Sequence, residues 1–163
     1  MATEPDWLTH AGQDLGKRET LGPNDAPWLR AMWASLSGSW LLGQPWCGGA
    51  VAHWMAQSGI QYPKHYYRAK AWLDWGSTLT APLVGAVVVF DRKGGGHVGL
   101  IVGKDTRGRL MVLGGNQGDA VSIAPFDMAR VLGYRWPIER LAMLPTGGLP
   151  IVASAGESSM NEA

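Results

Sequence analysis

The hydrophobic period of this chain changes once, near Gly85, and that change limits the folds open to it. Upstream, apolar residues recur at spacings of three and four. Trp7, Leu8, Ala11 and Leu15 do so between Pro5 and Glu19, and Trp28, Met32 and Leu36 do so after a Gly22-Pro23-Asn24-Asp25 turn whose Asp25 is positioned to cap the helix. A third stretch, from about Trp46 to Ser58, sets Ala50, Val51, Trp54 and Met55 in one stripe with Cys47 and is stopped by Gly59. A fourth, roughly Tyr66 to Trp75, ends at Gly76. Downstream the pattern shortens to runs bounded by glycine or charged turns: Ala86 to Phe90, His97 to Val102, Leu110 to Leu113, Val121 to Ala124 and Leu132 to Trp136. Helices followed by strands imply an α+β fold, a helical layer packed on a small antiparallel sheet.

A chain of 163 residues supports one core, here expected over 1–144, with the Gly-, Ser- and Pro-rich residues 145–163 as a flexible tail. A net charge of +1 gives no reason to expect nucleic acid or an anionic membrane as partner. The longest apolar run, Val84 to Phe90, is too short to span a bilayer, so no stable membrane insertion is expected. The start, Met1-Ala2-Thr3-Glu4-Pro5-Asp6, lacks the basic and apolar regions of a secretory signal, and synthesis in the cytoplasm is the expectation. The single Cys excludes an internal disulfide. Nine Trp and 23 Gly suggest shaped aromatic surfaces and loops that let a ligand approach the backbone.

That one Cys lies in Gln44-Pro45-Trp46-Cys47-Gly48-Gly49, at the start of the third helix. A lone cysteine is often a small buried hydrophobe. A helix N-terminus and a nearby imidazole, however, both lower a thiol's pKa, and the thiolate is the nucleophile. The run Lys93-Gly94-Gly95-Gly96 delivers His97 onto an apolar strand, and the next strand runs out into Gly114-Gly115-Asn116. If Asp105-Thr106-Arg107-Gly108 is the hairpin turn, Lys104 pairs with Arg109, and counting outward sets His97 opposite Asn116 with Cβ atoms about 5 Å apart, unless a bulge at Gly103, Gly114 or Gly115 breaks the count. Gly48 and Gly49 remove side chains where a substrate backbone would pass, Gly94 to Gly96 form a flexible rim, and Trp46, Trp72 and Trp75 are candidate groove walls, with core packing the default for Trp72 and Trp75. The histidines show no close ligand spacing, so neither a metal nor another cofactor is expected.

Three motifs in order, Pro45-Trp46-Cys47, Gly96-His97-Val98-Gly99 and Gly114-Gly115-Asn116-Gln117, resemble those of the NlpC-like and CHAP cysteine peptidases, and of a phage and prophage branch of that superfamily in particular. The likeness extends over about Pro5 to Pro137. It implies a papain-like half-barrel packed on helices and hydrolysis of an amide or peptide bond in the peptidoglycan stem peptide. By matching position it makes Cys47 the nucleophile, His97 the general base and Asn116 the residue that orients the imidazole. Trp46, Gly48, Gln44 and Gln117 are assigned to substrate contact, with Gln44 also a candidate oxyanion donor beside the Cys47 N–H. Many NlpC-like enzymes carry a second histidine as the orienting residue, and this chain has none on the matching strand. Many CHAP domains carry a glutamate two residues before their asparagine, where this chain has Gly114. The setting implied is a monomeric endolysin that acts on the wall after release. An injected amidase effector, or a non-catalytic wall-binding or phage structural module, are the alternatives.

Overall fold

The computed structural model describes residues 4–20 and 25–156; the turn expected over Gly22 to Asn24 lies outside them. Helix α1 (Asp6–Gln13) buries Trp7, Leu8 and Ala11, α2 (Pro27–Ser35) buries Leu29, Met32 and Trp33, and α3 (Cys47–Gln57) is buried along most of its length. The expected fourth helix is shorter and tighter, a 3-10 segment at Ala69–Asp74. Asp25 does not cap α2 by the usual route. Its Oδ1 accepts the N–H groups of Thr20 and Ala26 and ties the ends of the connecting segment together.

Six strands follow: β1 (Ser77–Leu79), β2 (Val87–Arg92), β3 (Gly95–Lys104), β4 (Leu110–Gly114), β5 (Ser122–Phe126) and β6 (Val131–Trp136). They form one sheet in the order β1-β6-β2-β3-β4-β5, every pair antiparallel. The sheet curls strongly. Phe126 at the end of β5 packs against Phe90 of β2, three strands away in the order, with ring centroids 4.8 Å apart. The outcome is an α+β half-barrel with α1 and α3 packed on it; the change of period implies the two layers and the resemblance the half-barrel.

The tryptophans hold these layers together. Trp7, Trp33, Trp46, Trp54, Trp72, Trp75 and Trp136 are all buried, so Trp72 and Trp75 pack in the core, as their spacing favours, rather than lining a groove. Most also act as polar pegs. Trp7 donates to the Gly85 carbonyl at 2.7 Å, Trp54 to Asp14 Oδ2 at 2.8 Å, Trp72 to the Tyr66 carbonyl at 3.0 Å and Trp75 to the Gln61 carbonyl at 2.7 Å. Each indole thus fills core volume and pins an adjoining loop, a use suited to a large ring with one donor.

Residues 150–156 are not a free tail. Lys104 N–H donates to the Pro150 carbonyl, Val152 N–H to the Lys104 carbonyl, and Ile123 and Ala155 exchange both backbone hydrogen bonds. The domain therefore runs past 144, and the expected boundary is corrected. Glycines 95 and 96, expected in a flexible rim, lie in β3 paired with Arg92 and Asp91.

Candidate active site

Cys47 opens α3, with Trp46 as the residue that precedes the helix. The helix starts here because Trp46 is anchored twice: its ring packs edge-on against Trp28 at 5.3 Å, and its Nε1–H donates to Glu19 Oε1 at 2.8 Å. Trp46 is 1% exposed and does not line a groove, which corrects that assignment. Gly48 is also occupied by the protein itself, since a Cβ there would collide with the Tyr66 carbonyl oxygen. Gly48 and Gly49 thus let the chain's own Tyr66 backbone and Trp33 ring pack against the helix. Gln44 is exposed, and its side chain makes no hydrogen bond among the described residues.

The thiol is buried, and burial pushes its pKa up. Opposing that are the backbone N–H groups of Val98, Gly48 and Cys47 and the charge of Arg92. The Val98 amide belongs to the residue after His97, so Cys47 meets β3 at the histidine's own position. The structure contains no hydrogen bond between the thiol and the imidazole.

His97 is 1% exposed, and its ring stacks on Phe126 at 5.0 Å with an interplanar angle of 17°. Its Nε2 lies 2.8 Å from Gln117 Oε1. The amide of Gln117 is itself fixed, because its Nε2 donates to the carbonyls of Val112 at 3.1 Å and Ser122 at 2.8 Å. That leaves Oε1 as the only Gln117 atom that can face the ring, so the imidazole carries its proton on Nε2. Nδ1 is buried without a partner among the described residues and holds the free lone pair. Burial, reinforced by Arg92 and Arg130 and only partly offset by Gln117, lowers the pKa of His97 to about 4. The ring is neutral at pH 7.

Asn116 is not the partner of His97. Near the hairpin Lys104 pairs with Leu110 rather than Arg109, and an irregularity between Ile101 and Gly103 then restores Leu100 opposite Leu113. The ladder would carry His97 to Asn116, but β4 ends at Gly114 and Asn116 takes φ 59°, which turns the chain off the strand. The next side chain, Gln117, folds back inside and is 6% exposed. That moves Gln117 from substrate contact to the imidazole. Gly114 explains the room it uses: a Cβ at that position would collide with Gln117 Oε1 and lie 3.5 Å from His97 Nε2. A side chain at 114 would push the Gln117 amide out of its present position. The missing glutamate at 114 was the available sequence signal, since it left the ring's outer nitrogen without a strand-borne partner.

Helices that present a thiol at an N-terminus to a histidine-bearing antiparallel half-barrel define the papain-like class of folds. Within it this chain belongs to the CHAP domain family, whose model matches residues 27–116. CHAP domains are typically hydrolases acting on peptidoglycan and form part of the NlpC/CHAP-like group of cysteine peptidases and amidases. The matched span holds Cys47 and His97 and stops one residue short of Gln117. No curated protein and no solved structure matches the chain significantly.

Proposed function

We propose that the protein hydrolyses an amide or peptide bond of the peptidoglycan stem peptide through a thiol mechanism carried by Cys47 and His97, with Gln117 in the orienting role. The observation that carries this reading is the bare Nδ1. The Gln117 amide occupies Nε2 and leaves one basic nitrogen, on the residue adjoining the Val98 amide that faces the sulfur. With the thiol pKa raised and His97 near 4, both groups rest neutral, and the thiol proton moves to Nδ1 as sulfur attacks. The C–S bond forms as the carbonyl π-electrons move onto oxygen. The Cys47 backbone N–H and a second donor, for which exposed Gln44 is available, stabilise that oxyanion. His97 then returns the proton to the leaving amine. Water attacks the thioester with Nδ1 as base and regenerates the thiol. The missing thiol–imidazole hydrogen bond fits a resting site that tightens on substrate binding.

The setting we favour is phage-type lysis, on the strength of the three motifs and their order. Digestion of purified peptidoglycan by wild type and by Cys47→Ala, followed by mass spectrometry of the soluble fragments, tests the chemistry. Fragments released by the wild type alone are expected, and their masses identify the bond. Undigested walls of several types in both reactions would overturn the hydrolase reading.

A further inference from the structure

Cys47 borders a cleft of about 430 Å³ whose eleven lining residues include Arg68, Lys70, Arg92 and Lys93 and no carboxylate. The chain has 14 Lys and Arg among 163 residues, so eleven residues drawn at random would hold about one. The concentration of charge is local, since the whole chain carries only +1. All four cationic side chains are exposed. Lys70 is paired with Asp91, at 3.2 Å, while Arg68, Arg92 and Lys93 have no carboxylate partner among the described residues. Between Lys93 and His97 the lining is Gly94, Gly95 and Gly96; Gly96 is covered by the Lys70 and Ala69 side chains, but Gly94 and Gly95 face open space, where an extended ligand can approach the backbone. The charge of Arg92 also reaches both Cys47 and His97, which sets the cationic lining close to the reacting groups.

We propose that this cleft is a substrate subsite that selects stem peptides whose acidic residues keep free carboxylates over those in which they are amidated. The proposal rests on the hydrolase reading for its substrate and adds what that substrate must carry. Stem peptides present carboxylates on a glutamyl residue and, in many walls, on a diamino acid, and some walls convert them to amides. Three unpaired cations beside an apolar, glycine-walled approach recognise the charged form. Exposed ion pairs are individually weak, a few-fold each, so the combined preference is about tenfold and screened by salt.

Two soluble stem peptides that differ only in carboxylate amidation separate the cleft from the chemistry. Their binding to the full-length Cys47→Ala protein, followed by NMR titration at low salt, is expected to favour the free acid by about tenfold. Adding Arg92→Gln and Lys93→Gln to that protein is expected to reduce the ratio to about twofold, with the melting midpoint unchanged because both side chains are exposed and unpaired among the described residues. Equal affinities, or a ratio that survives the double change, would overturn the proposal. Equal affinities would assign the charge to general attraction toward anionic wall polymer, and a surviving ratio would place the selectivity outside Arg92 and Lys93. Wild-type turnover of the same peptides is read separately. Selective binding without cleavage supports the subsite and counts against hydrolysis, whereas cleavage at equal rates with equal affinities does the reverse.

Discussion

The two halves of the candidate site are built on opposite physical terms. His97 sits in a closed compartment of Phe90, Phe126 and a neutral amide, with no charged side chain hydrogen-bonded to it. Cys47, also buried, borders an open cleft edged by four cations. On the proposed mechanism, the contrast separates two demands. The base must keep one tautomer and stay unprotonated, which favours exclusion of water and a partner without charge. The nucleophile must be reached by a polar chain, which favours an open cleft with a field of its own. A carboxylate in place of Gln117 would have stabilised the imidazolium, so the amide preserves a neutral resting ring.

The largest test of that contrast is acid stability. His97 has a pKa of about 4 in the folded protein against 6.5 as a free side chain, so the unfolded chain binds the extra proton more readily. Its neutral form contributes full stability above pH 6.5, and that contribution falls away as the pH drops from 6.5 to about 4. The loss attached to this one group is about 3 kcal/mol. Urea unfolding at pH 7 and pH 4.5 measures it, and His97→Gln is expected to flatten the difference. An equally steep pH dependence in that variant would mean the compartment is not dry.

The next test exchanges the two neighbours in the Gly-Gly-Asn-Gln motif. Gln117→Ala is expected to lower kcat about a hundredfold, since an unheld imidazole loses its tautomer and orientation. Asn116→Gly keeps φ 59° accessible and is expected to change kcat by less than about threefold. Gln117→Glu retains an acceptor for Nε2 and supplies a charge that favours the imidazolium, so the acid limb of its rate profile moves upward from about pH 4. The reverse ranking of Asn116 and Gln117 would return the orienting role to Asn116.

The smallest effect concerns the scaffold on the cysteine side. Glu19→Ala leaves the Trp46 N–H without its acceptor and is expected to cost about 1 kcal/mol by urea unfolding, with Glu19→Gln restoring most of it. No loss in the alanine variant would mean that packing against Trp28 alone seats the start of α3.

Much of this arrangement was legible in the sequence, and the misreadings have specific causes. The stripe from Cys47 to Met55 and the strand bearing His97 follow from periodicity, and both elements lie where it sets them. The His97 partner was misread because strand counting assumes the ladder continues. The slip beside Val102 compensates the shifted hairpin, yet the backbone at Asn116 then leaves the strand altogether. Composition did not reveal the work of the tryptophans, because a ring that lines a groove and a ring that pegs a loop have the same letter. β1 is three residues long and carries no period to detect. Residues 150–156 read as loose because their composition is loose, but they are held by backbone groups, which composition does not register.

That last segment has a consequence for behaviour in solution. β5 stands at the end of the sheet, and an open outer strand offers its free amides and carbonyls to any other extended chain. Ala155 takes the position on Ile123 that a neighbouring molecule would otherwise occupy, while Pro125 withholds an N–H from the same border. The final described stretch of the chain therefore acts as a seal against aggregation, and a version cut before Pro150 would fold with an adhesive margin.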